Sequence, residues 1–246
     1  MNVTMTEGIL TLEGGAAAGA ALHIRRWPAK ETKAVVLIVH GYAEHAGRYE
    51  HVAAALNDAG YSVLAVDLWG HGKSEGVRGF APAFSVYLDG VAALLAEAKA
   101  QYPDRKLFLI GHSMGGLVAA AFLLERQGEF AGAVLSGAAV TPVDEQPAAV
   151  IFLGRLLSRL APKAGLIGLD ATRVSRDSNV VAAYVSDPLV YKGKISARLG
   201  AEMIDAMATV KERAGEISLP SRLLHGGDDG LTSAEGSKLL QERLST

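Results

Sequence analysis

The stretch LIGHSMGGL, residues 109–117, places Ser113 among three glycines, and apolar runs precede and follow it. A strand, a sharp glycine-flanked turn and a helix that begins at a serine expose that serine as a nucleophile. Gly111 and Gly115 fit this interpretation because such a turn brings backbone segments too close together for side chains. The alternative is an ordinary glycine turn between a strand and a helix.

The pattern Gly-x-Ser-x-Gly occurs a second time, at residues 72–76, so the pattern alone does not identify a nucleophile. No apolar helical run follows Ser74, and its surroundings, WGHGKSEGVRG, are typical of a loop. Ser113 is therefore predicted to be the nucleophile and Ser74 a loop residue. The helix after Ser113 supports this choice, because a helix N-terminus favours negative charge near the serine.

Short apolar runs alternate with longer segments of helical periodicity over the first half of the chain. The strand-like runs are residues 35–39, 61–66, 107–110 and 133–135, and the helical segments are residues 49–59, 84–100 and 117–125. Strands that are apolar throughout and separated by helices predict a mostly parallel sheet with helices on both faces, the α/β architecture. Residues 8–12 and 22–27 are predicted to form an antiparallel hairpin that leads into this sheet.

The alternation stops near residue 141 and resumes with a predicted helix, strand and helix at residues 196–214, 219–224 and 234–244. The interruption contains three prolines, a long apolar stretch and no clear strand. We therefore predict a core formed by residues 1–141 and 187–246, with an inserted helical cap, or lid, at residues 142–186. The insertion falls at the carboxyl edge of the sheet, where ligands bind in α/β proteins.

Within the cap, residues 147–169 read PAAVIFLGRLLSRLAPKAGLIGL. At helical spacing, Arg155, Ser158, Arg159 and Lys163 share one narrow stripe, and the remaining circumference is apolar. We expect a lid whose outer surface makes transient contact with a membrane or lipid aggregate and whose inner surface lines an acyl channel. Packing onto the core or against a second copy of the chain is the alternative.

Acyl transfer also needs hydrogen-bond donors for the negatively charged oxygen of its intermediate. In a fold of this kind the donors are the backbone N–H after the nucleophile, here Met114, and one from the loop after an early strand. The loop HGYAEH, residues 40–45, follows such a strand, and the N–H of Tyr42 is the second candidate. No cluster of carboxylates and histidines has metal-ligand spacing, so no metal site is predicted.

The composition narrows the class of protein. The formal charge is −2 and charged residues form no long block, so no nucleic-acid partner is expected. The absence of cysteine excludes disulfide scaffolds, thiolate zinc sites and cysteine nucleophiles, and it suits a reducing cytoplasm. Glu7 and Glu13 stand where a signal peptide would be basic and then apolar, and no apolar run approaches the ~20 residues that span a bilayer. We expect a cytoplasmic protein, peripheral at a membrane at most.

Five stretches together resemble the signature sequences of the monoacylglycerol lipase family of α/β-hydrolases. They are HGYAEHAGRY (40–49), DLWGHGKSEG (67–76), GHSMGG (111–116), DPLVY (187–191) and LLHGGDD (223–229). The resemblance implies Ser113 as nucleophile, Asp229 as the acid of the catalytic triad, and the N–H groups of Tyr42 and Met114 as the oxyanion hole. It also implies an enzyme that hydrolyses glycerol monoesters of fatty acids with no metal or organic cofactor. Family patterns usually have a small residue where this chain has Tyr42, so we expect a changed pocket shape and unchanged chemistry.

The histidine of the triad is missing from its expected place. The triad order in this fold is serine, acid, histidine, and none of the seven histidines follows Asp229. His112 adjoins the nucleophile and His225 precedes Asp229 by four residues, so neither fits the role. We expect the last strand, the catalytic histidine and the final helix to lie beyond Thr246. Asp228 follows the same strand as Asp229, and capping of a turn is the alternative role for either aspartate.

These observations predict a serine hydrolase that cleaves carboxylic esters of fatty acids, with monoacylglycerols as the leading substrate class. The first alternative is another serine hydrolase of the same fold, such as a lysophospholipase, thioesterase or peptidase. The second is a non-catalytic lipid-binding homologue, which applies if the chain has no triad histidine, because a serine needs an adjacent base to become nucleophilic. Ser113 argues against epoxide hydrolases and dehalogenases, in which a carboxylate is the nucleophile.

Overall fold

The computed structural model describes residues 5–142 and 147–245, and these contain one large sheet and one small one. The strands are β1 (Thr6–Thr11), β2 (Ala21–Trp27), β3 (Ala34–Val39), β4 (Tyr61–Val66), β5 (Leu107–His112), β6 (Gly132–Ser136), β7 (Gly165–Gly168), β8 (Lys194–Ser196) and β9 (Ser221–Leu224). Strands β7 and β8 form a separate antiparallel pair. The large sheet has the order β1-β2-β4-β3-β5-β6-β9. Five of its strands are parallel to one another: β4, β3, β5, β6 and β9.

Helices cover both faces of the large sheet. They are α1 (Glu50–Asp58), α2 (Ser85–Gln101), α3 (Met114–Arg126), α4 (Ala148–Leu160), α5 (Ser178–Ser186), α6 (Ala197–Arg213) and α7 (Ala234–Arg243). Every residue of β3 is buried; its odd-numbered side chains share a cluster with residues of α2 and α3, and Val36 and Ile38 share one with Ala53 of α1. Because β3 is buried on both sides, its sequence is a continuous apolar run. The mostly parallel sheet with helices on both faces confirms the predicted α/β-hydrolase architecture.

The topology brings the predicted site residues to one edge of the sheet. Strands β3, β5, β6 and β9 run in the same direction, so the loops that follow them meet beyond their carboxyl ends. The loop 40–45 follows β3, Ser113 follows β5, and the turn 225–232 follows β9. The antiparallel pairing of β1 with β2 confirms the predicted N-terminal hairpin.

Between β6 and β8, the described residues 147–186 contain α4, β7 and α5. The expectation of no strand in this region was wrong, because β7 pairs with β8, a partner some 30 residues away that the local sequence does not reveal. The expected helical segment 147–169 is also too long. Helix α4 ends at Leu160, since Ala161 has a non-helical φ of −138° and proline follows it.

Helix α4 lies against α6, with its polar residues split between the inner and outer sides. Ser158 is buried, whereas Phe152 is 71% and Leu160 is 75% exposed. The polar stripe therefore faces the protein in part, and a large share of the apolar circumference faces outward. Among the helices of the described ranges, none has the length and apolar character that crossing a bilayer requires.

Candidate active site

Ser113 occupies a strained turn between β5 and α3. Its φ of 55° and ψ of −120° lie in a region that L-residues rarely adopt, and such strain persists where the surroundings enforce it. The N–H of Ser113 donates to the carbonyl oxygen of Ser136 at 2.9 Å, and its own carbonyl accepts from Gly116, Leu117 and Ala139. The predicted strand, sharp turn and helix are all present at this position.

The glycines of the elbow are required by close backbone contacts. A Cβ on Gly111 would lie 2.4 Å from the carbonyl oxygen of Gly115, and one on Gly115 would lie 2.2 Å from that of Val39. A Cβ on Gly116 would lie 2.7 Å from the Cβ of Ala138. Each distance is shorter than a carbon side chain permits, so these residues let α3 start directly against β3 and β5.

The loop of residues 41–45, called the oxyanion loop after the role predicted from the sequence, passes directly beside Ser113. A Cβ on Gly41 would lie 3.1 Å from the Cβ of Ser113. Within the part of the chain that the structure describes, the backbone N–H groups of Tyr42 and Met114 donate no hydrogen bond. The loop and the start of α3 therefore each bring one unengaged donor close to the serine, as an oxyanion hole requires.

The Tyr42 side chain is buried rather than projected into solvent. Its ring packs edge-on against His71 at 5.7 Å and Tyr191 at 6.3 Å between centroids. Burial raises the pKa of the Tyr42 phenol far above its ordinary value. The ring thus forms part of the packing behind the loop, and its phenol stays neutral at physiological pH.

Glu44 is a site residue that the sequence did not single out. Its Oε1 accepts the N–H of Gly41 at 2.7 Å and the hydroxyl of Tyr49 at 2.8 Å. Burial alone would raise the pKa of Glu44, but the neighbouring His112 and His40 and the Gly41 N–H hold that pKa below its usual value. No signal in the sequence identifies it, because its hydrogen bonds and its burial arise only in the folded chain.

Asp229 lies in the turn after β9 and is held by its own loop. Oδ1 accepts the N–H groups of Leu231 and Thr232 at 2.8 and 3.0 Å, and Oδ2 accepts the Thr232 hydroxyl at 2.8 Å. Partial burial would raise the pKa of Asp229, but these hydrogen bonds keep it below its ordinary value. A Cβ on Gly137, at the end of β6, would lie 3.4 Å from Oδ2, so the carboxylate faces the carboxyl edge of the sheet.

Asp228 and Asp229 have different environments although they are adjacent. The side chain of Asp228 is 76% exposed and forms an ion pair with Arg176, whose side chain is 83% exposed. The side chain of Asp229 is 25% exposed, and its carboxylate has directed donors. The geometry thus favours Asp229 over Asp228 as a carboxylate that could orient a base.

The histidines near the serine are engaged elsewhere. The Nδ1 of His112 lies 3.1 Å from the carbonyl oxygen of Ser136. The ring of His225 bonds to the Ser237 hydroxyl at 2.7 Å through Nδ1, and its Nε2 lies 3.6 Å from Asp229 Oδ2. In residues 5–142 and 147–245, no histidine forms a hydrogen bond with the Ser113 hydroxyl, so these residues alone do not assemble a triad.

A cavity of about 800 Å³ opens above the elbow. Its walls are Ser113 and His112, the oxyanion loop with Arg48, the turn 226–232, and residues 172–176. The stretch 147–169 was expected to line an acyl channel. Among its described residues, only the last one, Leu169, lines this cavity. In the described ranges, no three histidine or carboxylate side chains converge where they could hold a metal ion.

Comparisons with known proteins identify the family of the chain. Residues 30–246 match the family described as serine aminopeptidase, S33. A monoacylglycerol lipase of Mycolicibacterium smegmatis is 37% identical over 219 residues, which are 89% of this chain and 78% of that protein. The human monoglyceride lipase is 34% identical over 226 residues, 91% of this chain and 75% of that protein.

A solved structure shows the same likeness in three dimensions. The monoacylglycerol lipase of Paleococcus ferrophilus superposes with a TM-score of 0.82 at 34% identity, over 92% of this chain and 85% of that one. The resemblance found in the five signature stretches is thereby confirmed. The chain belongs to the monoacylglycerol lipase family of α/β-hydrolases, and it is a carboxylic ester hydrolase.

Proposed function

We propose that the protein hydrolyses fatty-acid esters, with monoacylglycerols as the leading substrate class, through an acyl-enzyme on Ser113. One observation carries the proposal: a serine at positive φ lies at the floor of a cavity, beside a loop whose Tyr42 N–H is unengaged among the described residues. That arrangement suits a nucleophile whose attack creates a negatively charged oxygen, because backbone N–H groups can stabilise that charge. The names of the relatives supply the substrate class.

The proposed chemistry proceeds in two halves. Ser113 Oγ attacks the ester carbonyl carbon while its proton passes to a base, and the carbonyl oxygen accepts hydrogen bonds from the N–H groups of Tyr42 and Met114. The intermediate then collapses, the alcohol leaves with the proton, and the acyl group remains on Ser113. Water attacks the acyl-enzyme in the same way and releases the fatty acid.

We assign the base to a histidine that follows Asp229 in the chain beyond Thr246. Asp229 supports this assignment, because a carboxylate with a lowered pKa stays ionised and can orient an imidazole. Strand β9 supports it as well. Among the described strands, β9 is the last in the sheet, its outer edge pairs with none of them, and Leu224 on it is 49% exposed. A further strand on that edge would bring a following loop to the side of the sheet where Ser113 lies.

We also propose that residues 142–186 act as a cap that meets the lipid in which such substrates reside. The lipid face is defined as five exposed apolar side chains of α4, which are 42–75% exposed: Val150, Phe152, Leu153, Leu156 and Leu160. Contiguous exposed apolar side chains mark interaction surfaces. The double variant Phe152→Ser, Leu160→Ser should co-sediment more weakly with phosphatidylcholine vesicles. The control Ile9→Ser, which changes an exposed apolar side chain on β1, should co-sediment as the wild type does.

The decisive test of the catalytic proposal is monoolein hydrolysis together with labelling by a fluorophosphonate probe. A protein that carries the triad histidine should turn over monoolein and take up the probe, and Ser113→Ala should lose both. Labelling that persists in Ser113→Ala would overturn the assignment of the nucleophile. Turnover of an acyl-thioester or a peptide in preference to monoolein would overturn the substrate class.

The base can be tested on the 246-residue chain itself. If an imidazole ring is what the described site requires, free imidazole should accelerate p-nitrophenyl butyrate hydrolysis beyond the rate of imidazole alone. The acceleration should vanish in Ser113→Ala. Full activity of the 246-residue chain without imidazole would contradict a base located beyond Thr246.

A further inference from the structure

The oxyanion loop contains a backbone conformation that needs support from outside the loop. Ala43 has a φ of 68°, in the left-handed region that L-residues with a Cβ rarely adopt. A residue with strained backbone keeps its conformation when neighbouring contacts enforce it. Because Ala43 is adjacent to Tyr42, any relaxation at Ala43 would turn the Tyr42 N–H away from its present direction.

One segment contacts this loop at two residues and contacts Arg48 beside it. The clamp segment, defined as residues 184–191, runs from the last turn of α5 into the chain before β8. The N–H of Tyr191 donates to the carbonyl oxygen of Ala43 at 2.8 Å. The Nε2 of His45 lies 2.9 Å from Asp187 Oδ2. The ring of Tyr184 stacks under the guanidinium of Arg48 at 4.7 Å from its centroid.

The His45–Asp187 contact has a fixed direction. The Nδ1 of His45 accepts the N–H of Gly47 at 3.2 Å, so the proton of the neutral ring is on Nε2 and is donated to Asp187. The other oxygen of Asp187 accepts the N–H of Leu189 at 2.8 Å. Asp187 thus ties its own turn to the end of the oxyanion loop.

The Tyr184 contact reaches the front of the loop through two more residues. Arg48 Nε lies 3.2 Å from Glu44 Oε2, and the other oxygen of Glu44 accepts the Gly41 N–H. The residues on both sides of Tyr42 are therefore linked to the clamp segment, Gly41 through Glu44 and Arg48 and Ala43 through Tyr191.

We propose that the clamp segment sets the direction of the Tyr42 N–H, and that Asp187 is a positioning residue for ester hydrolysis. The cap helix α5 and the oxyanion hole are then one mechanical unit, and a cap that shifts changes the rate of chemistry as well as access to the site. The proposal rests on the proposed role of Ser113 and the oxyanion loop. A merely structural link would change stability without a selective effect on turnover.

The test compares Asp187→Asn with Asp177→Asn in the ester-hydrolysing protein. Asp177 caps the opposite end of α5, accepting the N–H of Asn179 at 2.8 Å, and is the matched control. With p-nitrophenyl acetate, Asp187→Asn should lower kcat by about tenfold or more, because a misdirected oxyanion donor acts in the transition state, and leave KM within about twofold. Asp177→Asn should leave both constants near those of the wild type.

A rescue variant separates positioning from stability. Glycine adopts positive φ without strain, so adding Ala43→Gly to Asp187→Asn should recover most of the lost kcat. The proposal fails if Asp187→Asn lowers kcat no more than Asp177→Asn does, or if Ala43→Gly restores nothing while both variants remain folded at the assay temperature.

A second measurement does not depend on catalysis. The Gly41 amide donates to Glu44 within the loop, so its hydrogen exchange reports opening of the loop. Asp187→Asn should make exchange at Gly41 at least about tenfold faster than Asp177→Asn does. Unchanged exchange overturns the clamp whatever the activity, whereas a wild-type protein that holds Gly41 protected but hydrolyses no ester overturns the proposed function instead.

Discussion

Two loops carry the same Gly-x-Ser-x-Gly pattern, but the hydroxyls of their serines have opposite environments. The Ser74 hydroxyl donates to the carbonyl oxygen of Asp67 at 2.5 Å and accepts the N–H of His23 at 2.8 Å, and the residue is buried. The Ser113 side chain lines the cavity, and its hydroxyl has no hydrogen-bond partner among the described residues. A serine whose hydrogen bonds are satisfied inside the fold holds two segments together. One left unengaged at a strained turn is available for chemistry.

The glycines around the two serines differ in what they approach. In the Ser74 loop, a Cβ on Gly72 would lie 2.2 Å from Asp67 Oδ2, so the loop wraps around a buried carboxylate. That carboxylate also accepts the N–H groups of Ala46 and Lys73 at 2.7 and 2.9 Å. In the elbow, Gly111 and Gly115 instead approach backbone carbonyl oxygens, those of Gly115 in α3 and Val39 in β3. The Ser74 loop packs around the buried carboxylate of Asp67, whereas the glycines of the elbow let α3 pack closely against the sheet.

The largest expected effect separates the two serines directly. Ser113→Ala should reduce ester hydrolysis by roughly 10⁵-fold or more, because no other group can form the acyl-enzyme. Ser74→Ala should leave kcat within about threefold and lower the free energy of unfolding by about 1–3 kcal/mol, since the His23 N–H loses its partner. Kinetics and urea denaturation of the two variants provide the measurement. A large loss of kcat in a folded Ser74→Ala variant would break the comparison.

Substitution of Asp229 should affect catalysis, whereas substitution of Asp67 should affect stability. Asp229→Asn should lower kcat by about 10⁴-fold with little loss of stability, as expected for the acid that orients a triad histidine. Asp67→Asn should instead lower the free energy of unfolding by about 3 kcal/mol, because it removes the buried carboxylate that pairs with His23. Asp228→Asn is the matched control for Asp229→Asn and should be nearly silent in both assays.

Alanine at one glycine in each loop should sharpen the contrast further. Gly115→Ala forces a Cβ against the Val39 carbonyl oxygen, and Gly72→Ala forces one against Asp67 at a φ of 51°. Each should cost about 2–4 kcal/mol of stability. At a temperature where both remain folded, Gly115→Ala should also lose most of its probe labelling. Equal labelling of the two variants would show that the elbow tolerates displacement.

The smallest effect is a pH dependence confined to the Ser74 side. The hydrogen bond to Asp67 raises the pKa of His23 despite its burial, and Glu7 adds to this. A raised folded-state pKa contributes stability that is present in full below the unfolded value, about 6.5, and is lost as the pH rises through the folded value. The advantage of wild type over His23→Gln in thermal unfolding should therefore be larger near about pH 5.5 than near about pH 8.5. An advantage that grows with pH would reverse the sign.

Local periodicity and turn chemistry were sufficient for the core elements. The apolar run of β3 and the strand, turn and helix around Ser113 could be located from the sequence because each depends on neighbouring residues. Strand β7 could not, since its partner β8 lies far along the chain. Glu44 was missed for a related reason: its importance comes from the Gly41 amide and the Tyr49 hydroxyl that the fold brings to it.

The sequence by itself determined which serine follows a strand and precedes a helix, and through its signature stretches it determined the family. Those properties depend on residue types within a few positions of one another, where sterics and hydrophobic periodicity act locally. Only the tertiary structure decided that Asp229 rather than Asp228 is a held carboxylate, and that the oxyanion loop is joined to Asp187 and Tyr191 after α5. The contact between His45 and Asp187 joins residues 142 positions apart, and the burial of Asp229 depends on the elements packed around its turn, so both exist only once the chain has folded.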